Sequence, residues 1–183
     1  MLKKLFSLVF LVLLLGGCSS LLPKKDIEST TFKTFDEARA AIEAIVPMQS
    51  SRQTIRKNGL DFSDYPNALQ LTHADVVRRF LPTSLLKRED LDPGILQCLE
   101  SRDACRGVEL SVSKIHKVRM GNFFADFVNF QRRTHTTGWR FNAVVLFVND
   151  TAVYRSWGGQ AVVDQMEDAT NPLGPFQGLG SGE

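Results

Sequence analysis

The sequence has few cysteines, few histidines and no large excess of charge of one sign. Three cysteines in 183 residues are too few for a small disulfide-dense scaffold. The 22 basic and 20 acidic side chains argue against a dedicated nucleic-acid binder, which is usually strongly basic. With 43% hydrophobic and 23% charged residues, the composition is that of a globular domain rather than a disordered tail, a collagen-like fibre or a polytopic membrane protein.

A long hydrophobic run is also missing. The apolar stretch at residues 5–15 is 11 residues long and contains one serine, whereas a membrane-spanning helix needs about 20 residues. Lys3 and Lys4 precede it, and two glycines and Cys18 follow it. A basic start, a short apolar run and a small-residue junction predict a secretory signal peptide over residues 1–17.

The junction Leu15-Gly16-Gly17-Cys18 resembles a bacterial lipobox. The resemblance implies that Cys18 is the lipidation site, carries acyl chains such as palmitate and becomes the new N-terminus. It also implies that Ser19, which is not an aspartate, directs the protein to the periplasmic face of the outer membrane. An ordinary signal peptide with a chance cysteine is the alternative. Removal of residues 1–17 takes away Lys3 and Lys4 and leaves 20 basic and 20 acidic side chains, a net charge of zero.

The two remaining cysteines, Cys98 and Cys105, are separated by six residues. In an oxidising periplasm they are expected to form a disulfide. Free buried thiols and metal or redox chemistry are the alternatives, but His116, the nearest histidine, lies 11 residues beyond Cys105. We therefore predict no metal site and no cofactor.

Capping signals predict four short helices before residue 105. Thr34 and Glu37 form a capping box that begins the first helix, and Pro47 ends it. Thr72 caps the third helix and Pro93 lies at the start of the fourth. The second and fourth helices are predicted at residues 51–58 and 93–101.

After Gly107 the hydrophobic period becomes two, which indicates strands. Four strands are predicted, at residues 108–113, 122–132, 139–148 and 151–157. Residues 134–138 are predicted to be a loop, Asn149-Asp150 a turn, and Gly158-Gly159 the end of the last strand. Helices followed by strands predict an α+β fold, with short N-terminal helices packed on one face of a four-stranded antiparallel sheet.

The predicted organisation is a signal peptide, a lipidated flexible linker over residues 18–31, a single domain over residues 32–167 and a Pro/Gly-rich tail over residues 168–183. Cys18, the leader, the short helices and the hairpin at residues 141–157 follow the element order of the small outer-membrane lipoproteins of the SmpA/OmlA (BamE-like) type. The chain resembles that family over roughly residues 32–165. The resemblance implies a module that helps the machinery that assembles outer-membrane β-barrels.

Two basic stretches and one aromatic run are the candidate contact surfaces. Clustered positive charge suits anionic headgroups or an acidic partner, although it also protects strand edges from unwanted pairing. Residues 121–130 contain four of the 13 phenylalanines on what would be both faces of a strand. One of those faces is either covered or an exposed docking patch. Asp126 then needs a hydrogen-bond partner, for which Arg119 and Arg140 are candidates. The residues predicted to contact a partner or lipid are Lys114, Lys117, Arg119, Phe123, Phe127, Arg132 and Arg133.

The sequence contains none of the short motifs that indicate a known catalytic mechanism. His73, His116 and His135 are not at metal-ligand spacing. The leading prediction is a non-enzymatic binding or assembly module of the cell envelope, anchored in the membrane by lipid, with an envelope protein as partner and no nucleic acid. The alternatives are an envelope-directed hydrolase, which needs a histidine beside a carboxylate in a pocket, and a carrier of an apolar ligand, which needs an enclosed apolar cavity.

Overall fold

The computed structural model describes residues 22–81 and 90–171. Its helices are α1 (Phe35–Glu43), α2 (Arg52–Lys57), α3 (His73–Phe80), α4 (Pro93–Glu100) and α5 (Phe123–Phe127). Its strands are β1 (Lys24–Glu28), β2 (Ala68–Leu71), β3 (Cys105–Met120), β4 (Gln131–Val148) and β5 (Thr151–Thr170). The five strands form one antiparallel sheet in the order β1-β3-β4-β5, with β2 also paired to β3. The α+β class is confirmed.

The chain divides into two compact units. The larger unit contains Ile27–Ile115 and Gly138–Val163. The smaller unit contains, of the described residues, 22–26, His116–Thr137 and 164–171.

The predicted caps determine where the first and third helices begin. The Thr34 side chain accepts a hydrogen bond from the Glu37 amide, and the Glu37 carboxylate accepts one from the Lys33 amide at 2.7 Å. Thr72 and Asp75 form the same reciprocal arrangement at the start of α3. These contacts satisfy backbone N–H groups that have no partner within the helix.

The larger unit has two hydrophobic cores, and β4 contributes to both. Successive side chains of a strand point to opposite faces of the sheet. Phe141, Val145 and Phe147 pack in a core with residues of α1 and α2. Val144 and Leu146 pack in a second core with residues of α3 and α4. The first helices therefore lie on one face, as predicted, while the later pair covers the opposite face.

The second core contains the predicted cysteine pair. Cys98 and Cys105 are fully buried and form a disulfide bond. Helix α4 approaches β5 closely at Gly94, where a Cβ atom would lie 1.9 Å from the Val153 carbonyl oxygen. Only glycine allows this approach.

The strand predicted at residues 122–132 is wrong, because α5 occupies its first half. The Asn122 side chain accepts hydrogen bonds from the amides of Phe124 and Ala125 and so begins a helical turn. The loop predicted at residues 134–138 is also wrong, because β4 runs through it. Gly138 has φ of 137°, and a Cβ atom there would lie 2.0 Å from the Lys114 carbonyl oxygen. The glycine marks a close strand contact, not a break.

Two predicted irregular segments are partly extended. Lys24–Glu28, within the predicted flexible linker, form β1. Strand β5 continues past Gly158 and Gly159 to Thr170, into the start of the predicted tail. The predicted signal peptide at residues 1–17, the predicted lipidation site Cys18 and residues 172–183 lie outside the described residues. Within the described ranges, no helix is both long enough and apolar enough to cross a membrane.

We expect the disulfide to contribute to stability. Replacing both Cys98 and Cys105 by serine should lower the free energy of unfolding by roughly 2.5 kcal/mol, because the open loop has more freedom in the unfolded chain. Urea unfolding of the oxidised protein and of the double variant measures this. The same loss should follow when the original protein is unfolded under reducing conditions. An unchanged stability under reduction would contradict the prediction.

The ion pair between α3 and β3 predicts a pH-dependent stability. Arg79 donates two hydrogen bonds to Glu109, one from Nη2 to Oε1 at 2.6 Å, and these hold the pKa of Glu109 below its usual value. A depressed folded-state pKa stabilises the fold above the unfolded-state pKa, and this stabilisation is lost as the pH falls through the folded-state pKa. Glu109→Gln should therefore cost about 0.5–1 kcal/mol near pH 7, since the pair is partly exposed.

The matching measurement is urea unfolding of both proteins from neutral to acid pH. The difference between them should shrink to nothing once Glu109 is protonated in the native protein. Glu28→Gln is the control, because its partner Lys114 lies 3.2 Å away in an exposed pair. A Glu109→Gln effect that persists at acid pH would refute the electrostatic explanation.

Candidate functional site

A buried carboxylate in the smaller unit lies at the centre of the candidate site. Asp126 is only 5% exposed. Arg119 donates a hydrogen bond from Nη1 to Asp126 Oδ1 at 2.9 Å, and Arg132 Nε lies 3.6 Å from the same oxygen. The predicted need of Asp126 for a partner is met by Arg119, whereas Arg140 bonds to Gln160.

The residues at the two ends of α5 determine where this helix places the Asp126 carboxylate. Asn122 caps the helix at its start, and Asn129, with a left-handed φ of 58°, turns the chain just after its end. Asparagine adopts this conformation more readily than most residues. The short helix therefore holds Asp126 between β3, which carries Arg119, and β4, which carries Arg132.

A cavity of about 220 Å³ opens beside this charge cluster. Its volume is below the roughly 300 Å³ at which drug-sized ligand sites begin, so it suits a small group. Three buried polar atoms in this region have no hydrogen-bond partner among the described residues, namely Asp126 Oδ2, Asn129 Oδ1 and Arg132 Nε. The residues that line the cavity are Leu22, Pro23, Arg119, Phe123, Asp126, Phe127 and Arg132.

Exposed apolar side chains surround α5. Phe127 is 75% exposed and Phe124 is 53% exposed, which is unusual for large aromatic residues. The ring of Phe123 stacks on that of Phe127 with centroids 5.8 Å apart and meets that of Phe124 edge to face. We call this surface the phenylalanine patch, defined by Met120, Phe124, Phe127, Val128 and Phe130.

The structure brings four of the seven predicted contact residues together. Arg119, Phe123, Phe127 and Arg132 line the same cavity. Leu22, which is 5% exposed, completes the wall and was not predicted, because a single leucine in a polar leader gives no periodic signal.

The other three predicted contact residues lie elsewhere. Arg133 binds Asp168 of β5 at 2.7 Å, and Lys114 pairs with Glu28 of β1. Lys117 is half-buried on β3. Strand β3 is paired on both sides, to β1 and β4, so its basic residues do not protect a strand edge.

Two further cavities lie in the larger unit. One, of about 200 Å³, is lined by α2 and the turn after it; Arg52 in its wall lies 3.9 Å from the centroid of the Phe147 ring. Burial lowers the pKa of Arg52, although Asp150 opposes the shift. The other, of about 390 Å³, contains the Arg79–Glu109 pair. Both are lined in part by charged side chains, unlike the enclosed apolar cavity that a carrier of an acyl chain needs.

The histidines do not form a catalytic arrangement with these cavities. His116 pairs with Asp26, and His135 Nε2 lies 2.7 Å from Asp164 Oδ1. Both carboxylates are well exposed, and neither histidine lines the three cavities described above. His73 contacts the Leu99 carbonyl oxygen at 3.1 Å. In the part of the chain that the structure describes, no group of three His, Cys, Asp or Glu side chains could hold a metal ion.

Comparison of the chain with protein-family models, with curated proteins and with solved structures finds no match.

The charge cluster predicts a stability loss that an exposed pair would not give. Asp126→Ala should lower the free energy of unfolding by about 2 kcal/mol, because it leaves two neighbouring arginines without their shared counter-charge. Asp164→Ala removes the partner of His135, whose contact is exposed, and should cost less than about 0.5 kcal/mol. Urea unfolding of both variants tests the contrast. Equal effects would mean that the burial of Asp126 has no energetic consequence.

Proposed function

We propose that the chain is an outer-membrane-anchored lipoprotein that presents its domain to the periplasm as a non-enzymatic binding or assembly module of the cell envelope. Its envelope partners would be protein or lipid surfaces. The proposal joins the predicted signal and lipobox at residues 1–18 with the surface described above.

The observation that carries the proposal is the position of Leu22. This residue follows Cys18 by four positions and is buried in the wall of the arginine–aspartate cavity. The end of the described chain nearest the predicted lipid anchor therefore lies at the surface with the most exposed aromatic area. Such a surface is typical of interaction sites.

The two alternative functions have less support. A hydrolase needs a base, a nucleophile and a binding cleft in one place, and His116 and His135 instead pair with exposed carboxylates on strands. A carrier needs an enclosed apolar cavity, and each cavity described contains charged side chains in its wall. The resemblance to the SmpA/OmlA type stays a prediction, and no contact residue is transferred from it.

The anchor is tested by Cys18→Ala in cells that express the full chain. The variant should lose labelling by radioactive palmitate and should disappear from the outer-membrane fraction, because the thiol that accepts the acyl chains is gone. Ser19→Asp is the matched control, since it should keep the label and change only the membrane in which the protein resides. A Cys18→Ala protein that still fractionates with the outer membrane would rule out the lipid anchor.

A further inference from the structure

We infer that the phenylalanine patch inserts into the interface of the membrane that holds the Cys18 acyl chains, so that the protein touches the bilayer at a second point. This inference rests on the proposed function. It assigns a phospholipid surface as the occupant of the patch.

The first argument is the composition of the patch. Its five side chains are all apolar, and Phe124, Phe127 and Phe130 are each about half exposed or more. They are close in sequence, within residues 120–130, at the end of β3, on α5 and in the turn that follows α5. Aromatic and aliphatic side chains of this kind enter the boundary between headgroups and acyl chains in peripheral membrane proteins.

The second argument is the length of the tether. Leu22 follows Cys18 by four positions, and a fully extended chain spans at most about 3.6 Å per residue, so the two residues lie at most roughly 14 Å apart. Leu22 and Phe127 line the same cavity. A lipid anchor on Cys18 thus keeps Leu22, which lies in the cavity wall with Phe127, within roughly 14 Å of the anchored residue, about twice the thickness of one headgroup layer. The lipid on Cys18 attaches the chain to a bilayer, whereas no covalent link brings a protein partner to the patch.

The third argument is charge. Lys24 and Lys25 are exposed directly after Pro23 in the cavity wall, whereas Arg119 and Arg132 in the same wall lie beside the Asp126 carboxylate. Free lysines beside an apolar patch favour anionic headgroups. Two exposed lysines therefore lie beside the tether, and Asp26, which follows them, pairs with His116.

The fourth argument concerns Asp126. A carboxylate at a membrane surface is repelled by anionic lipid, but Asp126 is buried and neutralised by Arg119 and Arg132. The charge cluster fixes α5 from the inside while Phe124 and Phe127 point out of it into solvent.

The test uses the full lipidated chain reconstituted in vesicles of phosphatidylethanolamine and phosphatidylglycerol. Phe127→Cys is labelled with an environment-sensitive fluorophore, and quenching is measured with lipids that carry a spin label near the headgroup or near the acyl-chain end. Cys98 and Cys105 are bonded to each other and do not compete for the label. Insertion predicts quenching at least about twofold above that of an exposed control, strongest for the shallow spin label.

Met166→Cys is the matched control. Met166 is apolar, 60% exposed and in the same unit. It lies five residues before Asn171, whose amide donates to the Phe130 carbonyl, so it is about 16 Å away from that contact along β5. Equal quenching at residues 127 and 166, with the protein still floating with the vesicles, would overturn the inference and leave the anchor intact. Failure of the protein to float would instead overturn the anchor.

A second measurement in cells distinguishes lipid from protein. Phe127 is replaced by a photoreactive benzoylphenylalanine, and crosslinking is induced in the intact envelope. The inference predicts that labelled phospholipid becomes covalently attached to the protein and that no adduct with a second protein forms. A discrete protein adduct at residue 127, absent when the same photoreactive residue replaces Met166, would assign the patch to a protein partner and overturn the inference.

Discussion

The larger unit depends on the burial of strand β4 on both of its faces. Phe141, Val145 and Phe147 enter one core, and Val144 and Leu146 enter the other. A strand in this position must be apolar on both faces, and it requires a helical layer on each side of the sheet. The helices α1 and α2 supply one layer, and α3 and α4 supply the other. The cysteine pair belongs to the second core and ties the end of α4 to the beginning of β3.

Local hydrogen-bond chemistry made part of the fold predictable. Thr34, Thr72 and Pro93 mark helix starts through groups that act within a few residues, so neighbouring sequence is sufficient. The turn at Asn149-Asp150 and the spacing of Cys98 and Cys105 are local signals of the same kind. Each of these signals lies within a short stretch of sequence, and the structure has the predicted feature at that position.

One failed prediction missed a local helix cap, and the others involve contacts between distant residues. The phenylalanine-rich segment alternates like a strand, but the Asn122 cap converts it into α5. Gly138 looks like a loop residue until the Lys114 carbonyl is placed against it. Strand β1 forms in a polar leader because it pairs with β3. The sequence of residues 24–28 has no hydrophobic period that would predict a strand. For the candidate site, the sequence indicated Arg119 as a candidate partner of Asp126, but not that Arg132 would lie beside the same buried carboxylate.

The disulfide also affects when, during synthesis and export, the chain gains its full stability. The bond between Cys98 and Cys105 forms in oxidising compartments and is disfavoured in the cytosol. A chain made in a reducing compartment would therefore have a core that lacks one of its covalent links. Under the proposed export, the nascent protein would be easier to keep unfolded for translocation. It would acquire its full resistance to unfolding only after it has crossed the inner membrane, because the disulfide forms there.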